Sequence, residues 1–268
     1  MSLPIAVAGA AGRMGQALVR AASADPRFSL VGVTERPDAN IIGADIGVLS
    51  GLQAFGVSAV GDVRAAAAEA SVWIDFTTPT ATRAALAALE ETKVRAAIIG
   101  TTGLAPGDEA EVAAVAKRIA VVRSGNFSLG VTLLAELVRL AAAKLGPDWD
   151  IEIAETHHRR KVDAPSGTAL LLGEAAAAGR GADLSAARLP PHDGIAGERR
   201  EGGIGFSVRR GGGIIGEHAV SFLAEREVIT LSHQALDRAV FADGALAAAL
   251  WAADKPPGLY SMRDVLGL

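Results

Sequence analysis

Three glycines at one strand-to-helix turn constrain this chain more than any other feature. The segment Ile5-Ala6-Val7-Ala8-Gly9-Ala10-Ala11-Gly12-Arg13-Met14-Gly15 follows directly on the first residues and leads into an alanine-rich run. Gly9 permits the tight turn, Gly12 lets backbone N–H groups approach a pyrophosphate, and Gly15 lets the helix pack closely on the strand. The GxxGxxG spacing departs by one residue from the commoner GxGxxG. Glu35 stands 20 residues beyond Gly15, at the end of the next β-branched run. There a carboxylate accepts hydrogen bonds from an adenine ribose. Its neighbour Arg36 suits a 2′-phosphate instead, so the choice between NAD and NADP stays open.

The rest of the first half repeats that unit. Strands are expected at Ile5–Ala8, Ser29–Thr34, Ser71–Phe76, Ala96–Ile99 and Ala120–Arg123. Helices are expected at Gly12–Ala22, Val63–Ala70, Thr80–Glu91 and Gly107–Ile119. Alternation of this kind predicts a parallel sheet with crossover helices. After Asn126 a helix at Val131–Leu145 leads into strands at Trp149–Thr156, Phe206–Arg209, Ile214–Phe222 and Glu227–Ser232, joined by glycine-rich connectors. The expected fold class is α/β: a Rossmann-type doubly wound parallel sheet, followed by a second α+β domain with an open mixed sheet. Residues 1–126 form the dinucleotide-binding domain, completed by 238–268, where the apolar helix Arg238–Ala253 returns. Residues 127–237 form the second domain.

With 268 residues, half of them hydrophobic, the chain can bury most of its unfolded surface, which excludes disorder and a disulfide-stapled scaffold. It has no cysteine, so thiol catalysis and iron–sulfur clusters are out and a metal would have only His and carboxylates. A formal charge of −4 supplies no general field for a phosphate backbone, so a nucleic-acid partner is not expected. Neither a signal-peptide pattern nor a run of roughly 20 apolar residues is found, so no membrane association and a cytoplasmic location are expected.

Two further loops stand at expected strand ends: Phe76-Thr77-Thr78-Pro79 and Ile99-Gly100-Thr101-Thr102-Gly103. Ligands of doubly wound sheets bind at the carboxyl ends of strands, so these loops can flank a nicotinamide, Gly100 admitting it close to backbone. Turn and capping duty accounts equally well for their Gly and Thr residues.

Chemistry concentrates in Glu155-Thr156-His157-His158-Arg159-Arg160-Lys161-Val162-Asp163-Ala164-Pro165-Ser166-Gly167-Thr168. A helix starting at Pro165–Thr168, capped by Ser166 or Thr168, turns the N–H groups of Gly167 and Thr168 outward, where a carboxylate or phosphate is favoured. His157, His158 and Lys161 ahead of it offer proton donors and positive charge. Crowding of cations should lower the lysine and histidine pKa values and make better acids. A metal on Glu155 and His157 is disfavoured because no third-ligand spacing such as HExxH accompanies them. His192, His218 and His233 are scattered singly and read as hydrogen-bonded core or loop residues.

Taken with Asn126-Phe127-Ser128 and the terminal Met262-Arg263-Asp264-Val265-Leu266, these motifs resemble the dihydrodipicolinate reductase family over nearly the whole chain. The resemblance implies hydride transfer from NADH or NADPH to a cyclic unsaturated imine dicarboxylate, giving tetrahydrodipicolinate with loss of water. It implies His157 as proton donor or acceptor, Lys161 as proton donor, and His158, Gly167 and Thr168 as substrate ligands. It assigns the cofactor to Gly9, Ala10, Ala11, Gly12, Arg13, Met14, Glu35, Arg36, Gly100, Thr101, Thr102, Ser124, Gly125, Asn126 and Phe127, with no metal. It further implies a homotetramer assembled by the second domain. Thr78 stands where many members carry Arg or Lys, leaving one cation fewer for the cofactor phosphates. A non-catalytic nicotinamide sensor, or another NAD(P)-dependent dehydrogenase of amino or hydroxy acids, is the competing reading.

Overall fold

The computed structural model describes residues 2–191, 193–195 and 197–268. In chain order the strands are β1 (Leu3–Ala8), β2 (Phe28–Thr34), β3 (Ala59–Val60), β4 (Val72–Asp75), β5 (Ala96–Ile99), β6 (Ala120–Arg123), β7 (Asp150–His157), β8 (Ile204–Arg210), β9 (Gly216–Leu223), β10 (Val228–Ala235) and β11 (Gly258–Tyr260). The helices are α1 (Arg13–Ala24), α2 (Ile46–Leu49), α3 (Val63–Ala67), α4 (Pro79–Leu89), α5 (Pro106–Val115), α6 (Leu129–Lys144), α7 (Gly167–Gly179), α8 (Leu184–Ala187), α9 (Ala239–Ala252) and α10 (Met262–Leu266). They fall into two compact units, one of residues 1–128 and 239–268, the other of 129–238.

The first unit is a seven-stranded parallel sheet in the order β11-β6-β5-β4-β1-β2-β3. Its central strands read as continuous apolar runs because both faces are covered: every residue of β4 and β5 is buried. Trp73, Ala97, Ile99 and Val121 pack against α3, α4 and α5 on one side. Helices α1 and α9 contact one another, and α9 also reaches β4, β5 and β6. The chain runs outward from β1 in both directions, so the carboxyl ends of β1 and β4 flank the point where the strand order reverses, the place where such sheets bind ligands.

The second unit is a four-stranded mixed sheet ordered β10-β9-β7-β8, in which β7 and β8 run parallel and the other pairs antiparallel. Ile151, Ile153, Val220 and Phe222 alternate toward a core shared with α6 and α7.

The sheet classes agree with the sequence expectation; several short elements do not appear in it. β3, β11, α2, α8 and α10 span two to five residues each, too few for a period to register. β11 completes the first sheet beside β6, held by pairing and not by a hydrophobic run of its own.

Candidate active site

In the first unit, Gly9 takes a φ of +64°, open to glycine at little cost. A Cβ on Gly15 would lie 2.2 Å from the Gly9 carbonyl oxygen, so only hydrogen fits where α1 meets the end of β1. Helix α1 starts at Gly12 without any side-chain cap, which leaves its first N–H groups for an anion. Glu35 lies against this loop: its Oε2 accepts from Ala11 N at 3.1 Å and its Oε1 from Arg36 N at 3.0 Å. Arg13 and Arg36 are exposed beside them. Gly9–Met14 with Glu35 thus form a cradle that fits a dinucleotide.

The other two loops divide. Gly100 cannot carry a side chain because its Cβ would lie 2.0 Å from the Phe76 ring, so protein packing demands this glycine whether or not a ligand approaches. Thr101 is buried and its hydroxyl lies 2.8 Å from that of Thr82 and 3.2 Å from Asp75 Oδ1. Asp75 Oδ1 also accepts from the Thr77 amide and hydroxyl. This buried network ties the loops after β4 and β5 together, and burial pushes the Asp75 carboxyl above its usual range. Thr78 caps α4. Ser124 and Asn126 form a compact turn, Ser124 Oγ donating to Asn126 O at 2.6 Å. Phe127 is fully buried, its ring edge-on to Phe76 at 5.1 Å and its carbonyl packed against Gly244, so it shapes the turn from beneath and offers no exposed surface to a ligand. Gly125 has open space at its Cβ position.

In the second unit the strand pairing assembles a polar cluster that spacing in the chain does not reveal. Antiparallel register sets Glu155 opposite His218, and parallel register sets His157 opposite Arg210. Glu155 is fully buried and satisfied on both oxygens: Oε2 with His157 Nδ1, Oε1 with Ser166 N at 2.9 Å and Arg210 Nη2 at 3.0 Å. Burial alone would raise its pKa, yet the hydrogen bonds from Arg210 and Ser166 and the nearby His157 hold it below the usual range. Ser166 caps α7 through Ala169 N at 3.2 Å, and its hydroxyl meets His218 Nε2 at 3.1 Å. Gly167, next to the cap, has open space at its Cβ position. Lys161 pairs with Asp163 at 2.8 Å. His158 is held by its backbone N–H to Ile214 O at 2.7 Å.

Desolvation lowers the pKa of His157, with Lys161 and Arg210 adding to it and Glu155 opposing. His158 is lowered in the same direction by desolvation and by Arg238 and Arg160. His218 is pushed down to about 4, chiefly by burial.

His218 is thus not an isolated histidine. Its ring stands 5.0 Å from that of His157, at the centre of the cluster. Alternation of His218, Val220 and Phe222 in β9 carries the signal of an inward-facing histidine; its partner 61 or more residues upstream is set by register alone. Arg210 is likewise absent from the sequence reading. His233 pairs with His218 across β9 and β10 and is half-buried; His192 lies outside the described residues. The donor atoms of Glu155, His157 and His218 come within 4.8 Å of one another, so the third ligand that spacing did not offer exists in space. A guanidinium on the same carboxylate opposes a cation there.

An uncapped glycine turn on a parallel sheet, together with a buried carboxylate–imidazole cluster ahead of a helix start in the second unit, fits the class of nicotinamide-dependent oxidoreductases. Residues 3–127 match the family described as dihydrodipicolinate reductase, N-terminus, and residues 130–266 the one described as dihydrodipicolinate reductase, C-terminus. The chain belongs to the dihydrodipicolinate reductase family. It is 55% identical over 264 residues to a 4-hydroxy-tetrahydrodipicolinate reductase of Dinoroseobacter shibae, covering 98% of both chains, and 52% identical over 262 residues to one of Rhodopseudomonas palustris, covering 98% of this chain and 96% of that one. Among solved structures, a dipicolinate-bound dihydrodipicolinate reductase from a Paenisporosarcina species shares the fold, with a TM-score of 0.76 at 24% identity over 97% of this chain and 98% of that one. An amine dehydrogenase from Mycobacterium smegmatis has a TM-score of 0.68 at 15% identity, over 98% of this chain and 95% of that one.

Proposed function

We propose that this chain reduces 4-hydroxy-tetrahydrodipicolinate to tetrahydrodipicolinate with loss of water, as a step of lysine and diaminopimelate biosynthesis. The observation that carries the reading is His157 tied through Glu155 to Ser166 at the α7 start, whose first amide groups suit a carboxylate, with Lys161 adding positive charge near the imidazole. A reduced nicotinamide, when bound, supplies the hydride. Gly9–Met14 would hold the pyrophosphate, Glu35 and Arg36 the adenine ribose, and Gly100–Thr102 with Ser124–Phe127 the nicotinamide end.

His158, Gly167 and Thr168 hold the substrate carboxylates. Lys161 donates a proton to the ring position beside the one that takes the hydride, a general-acid contribution of about 10²- to 10⁴-fold. His157 takes up or returns a proton at its free nitrogen. Glu35 favours a free 2′-hydroxyl and Arg36 a phosphate, so the donor is NADH, NADPH or both, which the assay below separates.

Among the described residues no helix is long and apolar enough to cross a membrane. The reading places the enzyme in the cytoplasm as a homotetramer. Support for self-association comes from the second sheet: one face packs on α6 and α7, while the opposite face carries small and polar residues, among them Ala154, Ser207, Ala219, Ser221, Thr230 and Ser232.

The test is coupled turnover, with the imine generated by its upstream synthase and NADH and NADPH oxidation followed separately at 340 nm. Oxidation dependent on the imine supports the reading; nucleotide binding without oxidation of either cofactor would leave a sensor. Light scattering after size exclusion reads the oligomer.

A further inference from the structure

His157 has two ring nitrogens, and the cluster treats them differently. Nδ1 is bound to Glu155 Oε2. Nε2 takes no hydrogen bond among the described residues, and the neighbouring Gly216 keeps it clear, since a Cβ there would stand 3.1 Å from it. The charged and titratable groups around the ring are Glu155 on β7, Lys161 and Asp163 in the following loop, Arg210 on β8 and His218 on β9.

We propose that Glu155 is a positioning residue for the reaction. It holds the proton of neutral His157 on Nδ1, so that Nε2 is the nitrogen that exchanges a proton with substrate, and through Ser166 it locks that ring to the start of α7. The inference rests on the reading in which His157 handles a proton. A carboxylate accepts and never donates once ionised, so its partner nitrogen must carry the hydrogen. Glu155 stays ionised because Arg210 and the Ser166 amide share its other oxygen. The same carboxylate therefore sets the tautomer of the imidazole and the place of the helix cap, whose hydroxyl also meets His218.

Glu155→Gln separates these duties. The amide oxygen can still accept from Ser166 and Arg210, while its NH₂ group turned toward Nδ1 donates and forces the proton onto Nε2. The expected result is a fall in kcat of about 10²-fold or more, with KM for imine and nucleotide within about threefold. ¹⁵N spectra of histidine-labelled enzyme should show Nδ1–H in the wild type and Nε2–H in the variant. In a double-mutant cycle, Glu155→Gln should cost nothing further once His157→Gln is present.

A wild-type spectrum with the proton on Nε2 would overturn the proposal even if the variant does not fold. So would a variant that keeps kcat and loses only KM or Tm, or two substitutions whose effects simply multiply. If His157→Gln alone keeps full turnover, the role of His157 itself fails, and that outcome is read from the single variant.

Discussion

Gly15→Ala places a methyl group where there is room only for hydrogen. The new Cβ would lie 2.2 Å from the Gly9 carbonyl oxygen, 2.7 Å from Ala10 Cα and 2.9 Å from the Gly9 carbonyl carbon, all of them backbone atoms. Carbon and oxygen ordinarily meet at about 3.3 Å, so the turn and α1 must part by about 1 Å. Overpacking of this kind costs about 1–3 kcal/mol, and alanine returns about 1 kcal/mol through helix propensity. The net loss of stability is therefore about 0–2 kcal/mol, and in a chain of this size Tm should drop by about 8 °C at most.

Cofactor binding should suffer more. The segment that moves carries the uncapped α1 N–H groups that would meet a pyrophosphate under the proposed function, and the Ala11 amide that pins Glu35. Each hydrogen bond to a charged group is worth about 1.5–3 kcal/mol, so losing the geometry of one raises Kd by about 10- to 150-fold. Titration of NADH fluorescence reads Kd, and a thermal melt on the same sample reads stability. A Kd within threefold of the parent would refute the reasoning that this loop binds the dinucleotide through its helix start.

Three other outcomes are expected. Lys161→Ala should leave NADH affinity unchanged and lower turnover by about 10²- to 10⁴-fold; unchanged turnover in the 340 nm assay removes Lys161 from the chemistry. His218→Gln should flatten acid sensitivity. His218 stays neutral in the fold down to about pH 4, against 6.5 when unfolded, so its contribution is complete above 6.5 and fades as pH falls toward 4. The span is at most about 3 kcal/mol, and parallel denaturation curves for parent and variant across that window would refute it. Asp75→Asn works in the opposite sense. The folded carboxyl binds its proton more tightly than the unfolded one, so the parent loses stability as pH rises above about 4. The variant should lose less, and a Tm–pH slope no shallower than the parent's between 4 and 7 would count against this.

The glycine turn, the parallel sheet and the cationic segment were legible because each is local. Gly9, Gly12 and Gly15 answer to a turn completed within one span, and β4 or β5 to a run buried on both faces. His157 through Thr168 crowd polar groups too densely for packing alone. Gly100 was legible as a special position but for another reason, since Phe76 and not a ligand forbids its side chain.

Sequence by itself determined the two kinds of sheet and the family chemistry, because periodicity and contiguous motifs survive without coordinates. Only tertiary structure decided which groups complete the cluster. Arg210 and His218 reach Glu155 and His157 through strand register, and register is a relation between segments more than 50 residues apart. A one-residue slip would turn His218 away from the carboxylate, and no local pattern around either residue records that choice.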